Sequence, residues 1–431
     1  MTKKIILLTI IFLSLFFMSC KDAWYYNIDK YEEVKKKTTY KNFTHLKEPI
    51  VFSMSVKDVY ALFGYSEKKQ FKKECGEVFV IFDWEKEEVF DWVYYPTAGQ
   101  GYSHGRATEH VYNGKKTYYF TLASGKELAV LDPEKTEVEL YPHDIYYGLA
   151  SYESEGRYLY INSTKNSRPI KVNLYAFDTV EKKFLSPFYY ESEETQDQYP
   201  ITDKNGNVYT VREYKVENSS DTEENKKEYF AEVLKISFEN RNPKSEILRT
   251  FSENYHYDDN SNEYVRTCLK CRRRIDNYVF IVEDGFGKYV PGDMFVYVYN
   301  TETNEFVEKI TVNFPKYSTL YEFVKYNDKY YAVLYQCFGD DESGKSPLYF
   351  LELEIDNDIT TEQYISKPIN PNVEDDDSMF NMYMRGSRLY MVENTLNPTW
   401  IRLMYYDFET NIMQSRDESI VLDLDEIVGV E

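Results

Sequence analysis

Apolar and polar residues alternate over short runs along most of this chain, and clusters of turn-forming residues separate the runs. An alternation with a period of two is typical of a strand that buries one face, because successive side chains of a strand point to opposite sides. Helical periodicity is nearly absent. The pattern therefore predicts an all-β protein built from many short strands.

One unit recurs along the chain: a strand, a tight turn and a second strand rich in tyrosine, as in VYNGKKTYYFTL (111–122). Glycine, aspartate and asparagine suit such turns because they tolerate the backbone angles that a tight hairpin demands. The predicted turns lie at Gly114, Gly156, Gly206, Asp276, Asp328 and Ser387, and a weaker copy at the start of the series has its turn at Asp58.

A second kind of hairpin follows each of the first kind, and an acidic or amide residue marks its turn. The turn residues are Asp83, Asp132, Asp178, Asn300, Asp356 and Asp407, while Phe238 holds the equivalent position in the remaining copy. We expect these aspartates and asparagines to adopt the turn's unusual backbone angles themselves. Two hairpins make four strands in each unit.

Seven units of four strands resemble the radial repeats of a β-propeller. The copies match neither the kelch nor the WD signature, so the resemblance concerns the architecture and not a named repeat family. Residues 49–431 are predicted to form this propeller, with seven four-stranded blades favoured and six or eight also compatible. A large β-sandwich or a solenoid is the alternative, but a blade buries its faces only against neighbours in a closed ring.

The first residues of the chain predict an export signal. Lys3 and Lys4 precede an apolar run, Ile5–Phe17, which is too short to be a comfortable membrane span. The run ends at Ser19 and Cys20, and this resembles the lipobox of bacterial lipoproteins, although Phe17 and Met18 stand where the family prefers leucine and a small residue.

The resemblance to lipoproteins implies that residues 1–19 are removed as a signal peptide and that Cys20 becomes the acylated N-terminus. It also implies a membrane anchor, and Lys21 in place of aspartate indicates the outer membrane. Residues 20–48 are then a lipidated N-terminus and a polar, lysine-rich tether. We expect an exported protein of the cell envelope.

Composition limits the partners. The chain has 431 residues and a formal net charge of −22, so it should repel nucleic acid. Its aromatic content of 17% is enough for a large core. Besides Cys20, only Cys75, Cys268, Cys271 and Cys337 remain, which is neither a disulfide framework nor a zinc site. We predict no metal and no cofactor.

The stretch Gly339–Ser346 reads GDDESGKS and fits the phosphate-loop pattern G-x-x-x-x-G-K-[ST]. A phosphate loop must open a helix, whose N–H groups hold the anion, whereas here Pro347 and a strand-like run follow. The same Ser-Gly-Lys occurs at 124–126, between the second and third strands of another unit. We therefore interpret Gly344-Lys345 as a hairpin turn and predict no nucleotide binding.

Two further patterns resemble sites. GYSHG (101–105) fits the nucleophile motif G-x-S-x-G, in which Ser103 would be the nucleophile and His104 or His110 its base. The motif requires a helix after the serine, and the next predicted hairpin leaves little room for one. DKNGN (203–207) has the spacing of a calcium loop but lacks its final glutamate. We predict no catalytic residue and no calcium site.

A basic stripe stands out against the acidic charge. Alternation in VRTCLKCRRRID (265–276), the predicted innermost strand of unit five, places Arg266, Lys270, Arg272 and Arg274 on one face. Innermost strands line the channel of a propeller, so the stripe could hold an anionic ligand such as a carboxylate or an acidic glycan. The alternative is that these bases pair with carboxylates of adjacent blades.

Two functional hypotheses follow. The first is a non-catalytic binding or scaffold lipoprotein that presents a propeller rim to a peptide, glycan or protein partner, since some bacterial lipoprotein propellers are assembly scaffolds. The second is an exported propeller enzyme that acts on glycans with paired carboxylates. Two facing carboxyl groups about 5 to 9.5 Å apart at the floor of a funnel would favour the enzyme.

Overall fold

Seven sheets follow one another along the chain, and together they form a seven-bladed β-propeller, which confirms the predicted fold class. None of the helices within the residues described below is long and apolar enough to cross a membrane. The structure is a computed structural model that describes residues 37–56, 75–97, 107–122, 127–143, 145, 148–165, 170–192, 199–216, 228–239, 242–252, 255–258, 263–285, 293–313, 318–336, 347–353, 355, 364–368, 379–394 and 400–428.

The first four blades contain the following strands. Blade 1 has β1 (Ile50–Val56), β2 (Cys75–Asp83) and β3 (Glu88–Thr97). Blade 2 has β4 (Thr108–Tyr112), β5 (Lys115–Leu122), β6 (Glu127–Leu131) and β7 (Glu139–Pro142). Blade 3 has β8 (Gly148–Ala150), β9 (Glu153–Glu155), β10 (Tyr158–Lys165), β11 (Ile170–Asp178), β12 (Lys183–Phe184) and β13 (Phe188–Ser192). Blade 4 has β14 (Ile201–Thr202), β15 (Val208–Val216), β16 (Glu228–Glu239) and β17 (Asn242–Ser252).

The last three blades complete the ring. Blade 5 has β18 (Tyr255–Asp258), β19 (Glu263–Ile275), β20 (Tyr278–Gly285), β21 (Asp293–Asn300) and β22 (Glu305–Asn313). Blade 6 has β23 (Ser318–Tyr326), β24 (Lys329–Gln336), β25 (Pro347–Leu353) and β26 (Tyr364–Pro368). Blade 7 has β27 (Met379–Arg385), β28 (Arg388–Asn394), β29 (Trp400–Asp407), β30 (Ile412–Met413), a 3-10 turn (Arg416–Glu418), β31 (Ile420–Asp423) and the short helix α1 (Leu424–Val428).

The innermost strands of blades 2 to 7 surround the centre. They are β4, β8 with β9, β14, β19, β23 and β27, and those of successive blades from 3 to 7 contact one another. Blade 3 is unusual because its innermost strand is divided. β8 pairs with β10 of its own blade, whereas β9 pairs in parallel with β4 of blade 2.

The first hairpin of a blade turns through a residue with positive φ, as predicted. Gly114 (φ 74°), Gly206 (φ 78°) and Asp276 (φ 54°) lie at the predicted positions, and in blade 7 the residue is Gly386 (φ 58°), one position before the predicted Ser387. Glycine is required at Gly156 (φ 100°), because a Cβ there would lie 3.1 Å from the Cα of Gly206 in the next blade.

The second hairpins use their aspartate or asparagine in a different way from the prediction. The Oδ1 atom of Asp178 accepts the N–H of Val180 at 3.0 Å, and that of Asn300 accepts the N–H of Glu302 at 2.9 Å. Asp83 and Asp407 form the same Asx turn. The positive φ lies four residues later, at Glu87, Lys182, Asn304 and Asn411. The aspartate or asparagine therefore caps the turn through its side chain and does not adopt the strained backbone conformation.

Core packing joins each blade to the next. Phe280 of blade 5 stacks on Phe323 of blade 6 with ring centroids 4.5 Å apart, and Phe350 of blade 6 stacks on Tyr406 of blade 7 at 4.4 Å. Each hydrophobic cluster of the described residues contains strands of two adjacent blades. Many of the tyrosine and phenylalanine side chains therefore fill the space between adjacent blades.

Blade 1 departs from the predicted pattern. Its strand β2 ends at the Asx turn of Asp83, which identifies β2 and β3 as the third and fourth strands of a blade. β1 pairs directly with β2 and therefore takes the position of a second strand. The predicted turn at Asp58 lies outside the described residues. Within them, blade 1 contributes three strands and no innermost strand.

The stretch 37–48, which we predicted as part of the polar tether, packs on blades 1 and 2. Tyr40 and Phe43 are buried at 3% and 1% exposure. The N–H of Tyr40 donates to the carbonyl oxygen of Thr136 at 2.8 Å, and the N–H of Tyr94 donates to that of Lys37 at 3.0 Å. This stretch therefore joins the outer parts of two blades before the chain enters β1.

Arg385, at the end of β27, closes the ring between blades 7, 1 and 2. Its guanidinium donates to the carbonyl oxygens of Glu48 (2.6 Å) and Pro49 (3.2 Å) and forms an ion pair with Glu109 of β4. The Arg385 and Glu109 side chains are only 5% and 6% exposed. The guanidinium thus spans the centre where blade 1 has no described innermost strand.

Replacing Arg385 by methionine keeps the apolar length of the side chain but leaves Glu109 buried, with Lys116 at 3.1 Å as a remaining charged partner. We expect the free energy of unfolding to fall by about 3 kcal/mol, because a buried carboxylate loses its main counter-ion. Urea denaturation followed by circular dichroism would measure this loss.

Lys204→Met is the matched control for Arg385→Met. Lys204 also joins two blades, through an ion pair with Glu302 at 2.8 Å, but both side chains are about half exposed (49% and 54%). We expect it to lower the stability by less than about 1 kcal/mol. Equal losses in the two variants would contradict the role assigned to Arg385.

Candidate functional site

The centre of the propeller is charged. Its innermost strands carry arginines from blades 5 and 7 and glutamates from blades 2, 3 and 6, and these side chains pair across blades. The residues are Glu109, Glu153, Glu155, Arg273, Arg274, Glu322 and Arg385. Because ion pairs in a low-dielectric centre are strong and directional, they determine how the inner strands face one another.

A β-bulge in β19 reorganises the predicted basic stripe. Cys271 pairs with Ile281 and Arg273 pairs with Phe280, so Arg272 is the extra residue of the bulge. A bulge interrupts the alternation of faces. As a result Arg272, Arg273 and Arg274 all line one pocket, whereas strict alternation predicted that Arg273 would point away from the other two.

Arg273 connects three blades. It forms an ion pair with Glu153 of blade 3 on one side, and on the other side it contacts Glu322 of blade 6 at 3.3 Å and donates to the carbonyl oxygen of Phe323 at 3.0 Å. Burial opposes the positive charge, but the carboxylates of Glu153 and Glu322 outweigh it and raise the pKa of Arg273 above its ordinary value. Its guanidinium is therefore a permanently charged, fixed group.

Arg274 makes a similar contact one residue later. Its guanidinium donates to Glu155 of blade 3 at 2.6 Å and to the carbonyl oxygen of Asp276 at 2.9 Å. Both arginines reach from blade 5 to blade 3 past blade 4, whose innermost strand β14 is only two residues long. The shortness of β14 is what lets these side chains meet.

A pair of tyrosines borders the same pocket. The rings of Tyr152 and Tyr199 pack with centroids 4.7 Å apart, and the Tyr152 hydroxyl donates to that of Tyr199 at 2.9 Å. The pocket is open to solvent, and its cavity volume is about 20 Å³, roughly the space of one water molecule. Its lining consists of Ser151, Tyr152, Glu153, Tyr199, Arg272, Arg273, Arg274 and Glu322.

The charge of this pocket contrasts with that of the whole chain. Three arginines and two glutamates line it, and a third glutamate, Glu155, pairs with Arg274, so these charges balance in a protein whose net charge is −22. Fixed guanidinium groups beside hydroxyl groups and aromatic rings are suited to recognising a small anionic or polar group.

The structure brings together two of the four residues of the predicted stripe, Arg272 and Arg274. Lys270 is half-buried opposite Val282, on the other side of the bulge. The backbone of Arg266 pairs with Tyr255 in the β18–β19 hairpin, and its side chain lies outside the described part of the chain.

Sequence reasoning missed Arg385 and the glutamates that pair with the central arginines. Glu109, Glu153, Glu322 and Arg385 all lie on innermost strands, a few positions before a first-hairpin turn. That position was a usable signal, because a charged residue on an innermost strand faces a crowded centre and must find a partner there. No comparable feature of the sequence indicates the bulge that brings Arg273 into the pocket.

His110 and Ser154 form a second polar contact near the centre. They lie opposite each other in the β4–β9 ladder, and the His110 Nδ1 atom is 3.0 Å from the Ser154 Oγ atom. His110 is 1% exposed and Ser154 5% exposed. Burial lowers the pKa of His110 to about 4, so the imidazole is neutral at pH 7. Because both side chains are buried, a substrate could not reach the Ser154 hydroxyl or the His110 imidazole.

The other apparent sites are structural or lie outside the described residues. Asp203 of the calcium-like stretch accepts hydrogen bonds from the backbone of Asn205 (2.8 Å) and Asn207 (2.9 Å) and from the Tyr209 hydroxyl (2.9 Å), so its carboxylate is satisfied within the turn. Cys271 is buried, and burial raises its pKa above the ordinary value, so its thiol is unreactive.

Three candidate sites of the sequence analysis belong to parts of the chain that the structure does not describe. Cys20, Ser103 and the phosphate-loop resemblance Gly339–Ser346 lie outside the described residues. The segment directly after the last of these is strand β25 and not a helix, as predicted. In the part of the chain that is described, no three histidine, cysteine, aspartate or glutamate side chains are arranged to hold a metal ion.

Comparisons with known proteins support the architecture alone. No family model and no curated protein matches this chain. It is similar to the β-propeller domain of the Trilobed protease from Pyrococcus furiosus, with 13% identity and a TM-score of 0.48 over 88% of this chain and 97% of that one. It is also similar to an acylaminoacyl peptidase from Pyrococcus horikoshii, with 12% identity and a TM-score of 0.45 over 93% of this chain and 54% of that one.

His110 should make the protein's stability depend on pH. Its pKa is about 4 when folded and 6.5 ordinarily, so the unfolded chain binds more protons between these values. The stabilisation is complete above pH 6.5 and is lost as the pH falls towards 4, with a total of about 3 kcal/mol. Thermal unfolding from pH 7 to 4 should show a smaller decline for His110→Gln than for the wild type.

His45→Gln is the control for this pH dependence, because His45 is exposed on the surface. Its profile should follow that of the wild type, since many carboxylates titrate equally in both proteins. If His110→Gln and the wild type lost stability in parallel, the buried imidazole would not be the group responsible.

Proposed function

We propose that this protein is a lipid-anchored binding protein of the cell envelope. Its propeller presents the central pocket and the rim around it to a peptide, glycan or protein partner, and it performs no chemistry on that partner. Acylated Cys20 is the anchor, and the residues from Cys20 to Lys36 connect it to the first packed residues of the propeller. Lys21 after the acylated cysteine favours the outer membrane.

The observation that carries the binding role is the engagement of the central charges. Glu153 and Glu322 both line the pocket, but Arg273 lies between them and contacts both. A glycosidase needs two carboxyl groups that face each other across the scissile bond, about 5 to 9.5 Å apart. Here a guanidinium fills that space, so the pocket is arranged for recognition and not for acid–base chemistry.

The tyrosine pair supports the same conclusion. Tyr152 and Tyr199 are half-buried and line the pocket beside the arginines. Tyrosine provides a large contact area at a low entropy cost, and arginine is likewise enriched at the energetic centres of binding surfaces.

The anchor can be tested by replacing Cys20 with alanine. We expect the variant to move from the membrane fraction to the soluble fraction and to lose metabolic labelling by palmitate, because the thiol that is acylated is absent. Immunoblotting of both fractions would show the change. Palmitate labelling that persists in Cys20→Ala would disprove the lipoprotein assignment.

The binding role can be tested by photo-crosslinking in intact cells. The photoreactive analogue p-benzoylphenylalanine at position 199 lies at the pocket, and at position 189, where tyrosine is 47% exposed on the outer strand β13, it is a matched control. We expect a defined adduct from position 199 that is absent at position 189. The same adducts at both positions, or none at 199, would contradict the proposed site.

A further inference from the structure

We propose that Glu153 is a displaceable counter-ion of Arg273, and that the ligand of the pocket is a small carboxylate that takes its place. This inference rests on the proposed function of the pocket as a ligand site. It adds the chemical class of the ligand, the residue that reads it and an internal group that competes with it.

The two sides of Arg273 differ in their surroundings. Glu322 and the carbonyl oxygen of Phe323 hold the guanidinium from blade 6, and the Glu322 side chain is 9% exposed. On the other side, the Glu153 side chain is 45% exposed although it pairs with the same guanidinium. Arg273 is therefore anchored by a buried partner and neutralised by an accessible one.

Removal of Glu153 from this pair requires little rearrangement. Its strand β9 stays in place because β9 pairs with β4 and the N–H of Glu109 donates to the carbonyl oxygen of Tyr152 at 2.8 Å. A change of side-chain rotamer alone would move the exposed Glu153 carboxylate into water. Arg273 itself is 12% exposed and stays fixed, so most of the entropy of ordering it is already lost before a ligand arrives.

The exchange is balanced in charge and in geometry. A ligand carboxylate replaces one carboxylate on the planar guanidinium fork, which can accept it in a bidentate manner. The described lining holds hydroxyl, carboxylate and guanidinium groups with two tyrosine rings, which suits a polar carboxylate of few heavy atoms.

Calorimetric titration of the full-length protein with four probes tests the inference. The probes are glucuronate and N-acetylglycine, each with its neutral counterpart, methyl glucoside and N-acetylglycinamide. We expect at least one carboxylate probe to bind and the neutral ones not to bind. Glu153→Gln should bind that probe about tenfold more tightly because the internal competitor is gone, and Arg273→Gln should not bind it.

Glu155→Gln is the matched control. It removes the same charge from the same strand, two residues away, but its partner is Arg274. It should change the affinity much less than Glu153→Gln, and thermal unfolding should show that all three variants are folded. An equal gain in affinity in both glutamate variants would mean that the ligand responds only to the net charge of the pocket and not to the loss of a competitor at Arg273. This result would overturn the inference.

The remaining outcomes also decide the matter. Binding of glucuronate alone indicates a sugar acid, binding of N-acetylglycine alone indicates a peptide-type carboxylate, and binding of both means that the carboxylate itself is read. No binding of either carboxylate to Glu153→Gln overturns the inference. If the adduct at position 199 is still formed in that case, the pocket binds a partner of another class and the proposed function stands.

Discussion

Closure of the ring is the constraint on which the rest of this structure depends. A blade buries its two faces only against its neighbours, so the first and last blades must meet as closely as any other pair. Here blade 1 has no innermost strand among the described residues, and side chains perform the closure. The Arg385 guanidinium joins blades 7, 1 and 2 through Glu48, Pro49 and Glu109. Strands β1 and β2 pack on blade 7 in one hydrophobic cluster.

The same physical principle organises the centre. A buried arginine is tolerated only with carboxylates and carbonyl oxygens around it, so each central arginine recruits partners from other blades. Arg273 draws on blades 3 and 6, and Arg274 draws on blade 3. The division of blade 3's innermost strand into β8 and β9 and the shortness of β14 make these contacts sterically feasible. A pocket with a fixed guanidinium and an exposed counter-ion results, and this arrangement underlies both proposals on function.

Much of the fold was predictable because its signals are local. The turns at Gly114, Gly156, Gly206, Asp276 and Asp328 came from residue types that tolerate positive φ, and each lies where expected. The turn residues Asp83, Asp132, Asp178, Asn300 and Asp407 of the second hairpins were located correctly, although their role is to cap the turn and not to adopt its strained conformation. The arrangement of blade 1 was not predictable, because β1 resembles a first strand and only its pairing with β2 shows otherwise.

By itself, the sequence determined the all-β class, most of the hairpin turns and the presence of an unusual basic stretch near residue 270, and it favoured seven repeats, since period, turn chemistry and charge are properties of short segments. The tertiary structure alone decided which side chains meet. The bulge at Arg272 interrupted the alternation of faces, and this brought Arg273 into the pocket beside Arg272 and Arg274. The partners Glu153 and Glu322 are about 120 and 50 residues away along the chain. Contacts over such separations depend on the curvature and closure of the whole ring, which no short segment of sequence encodes.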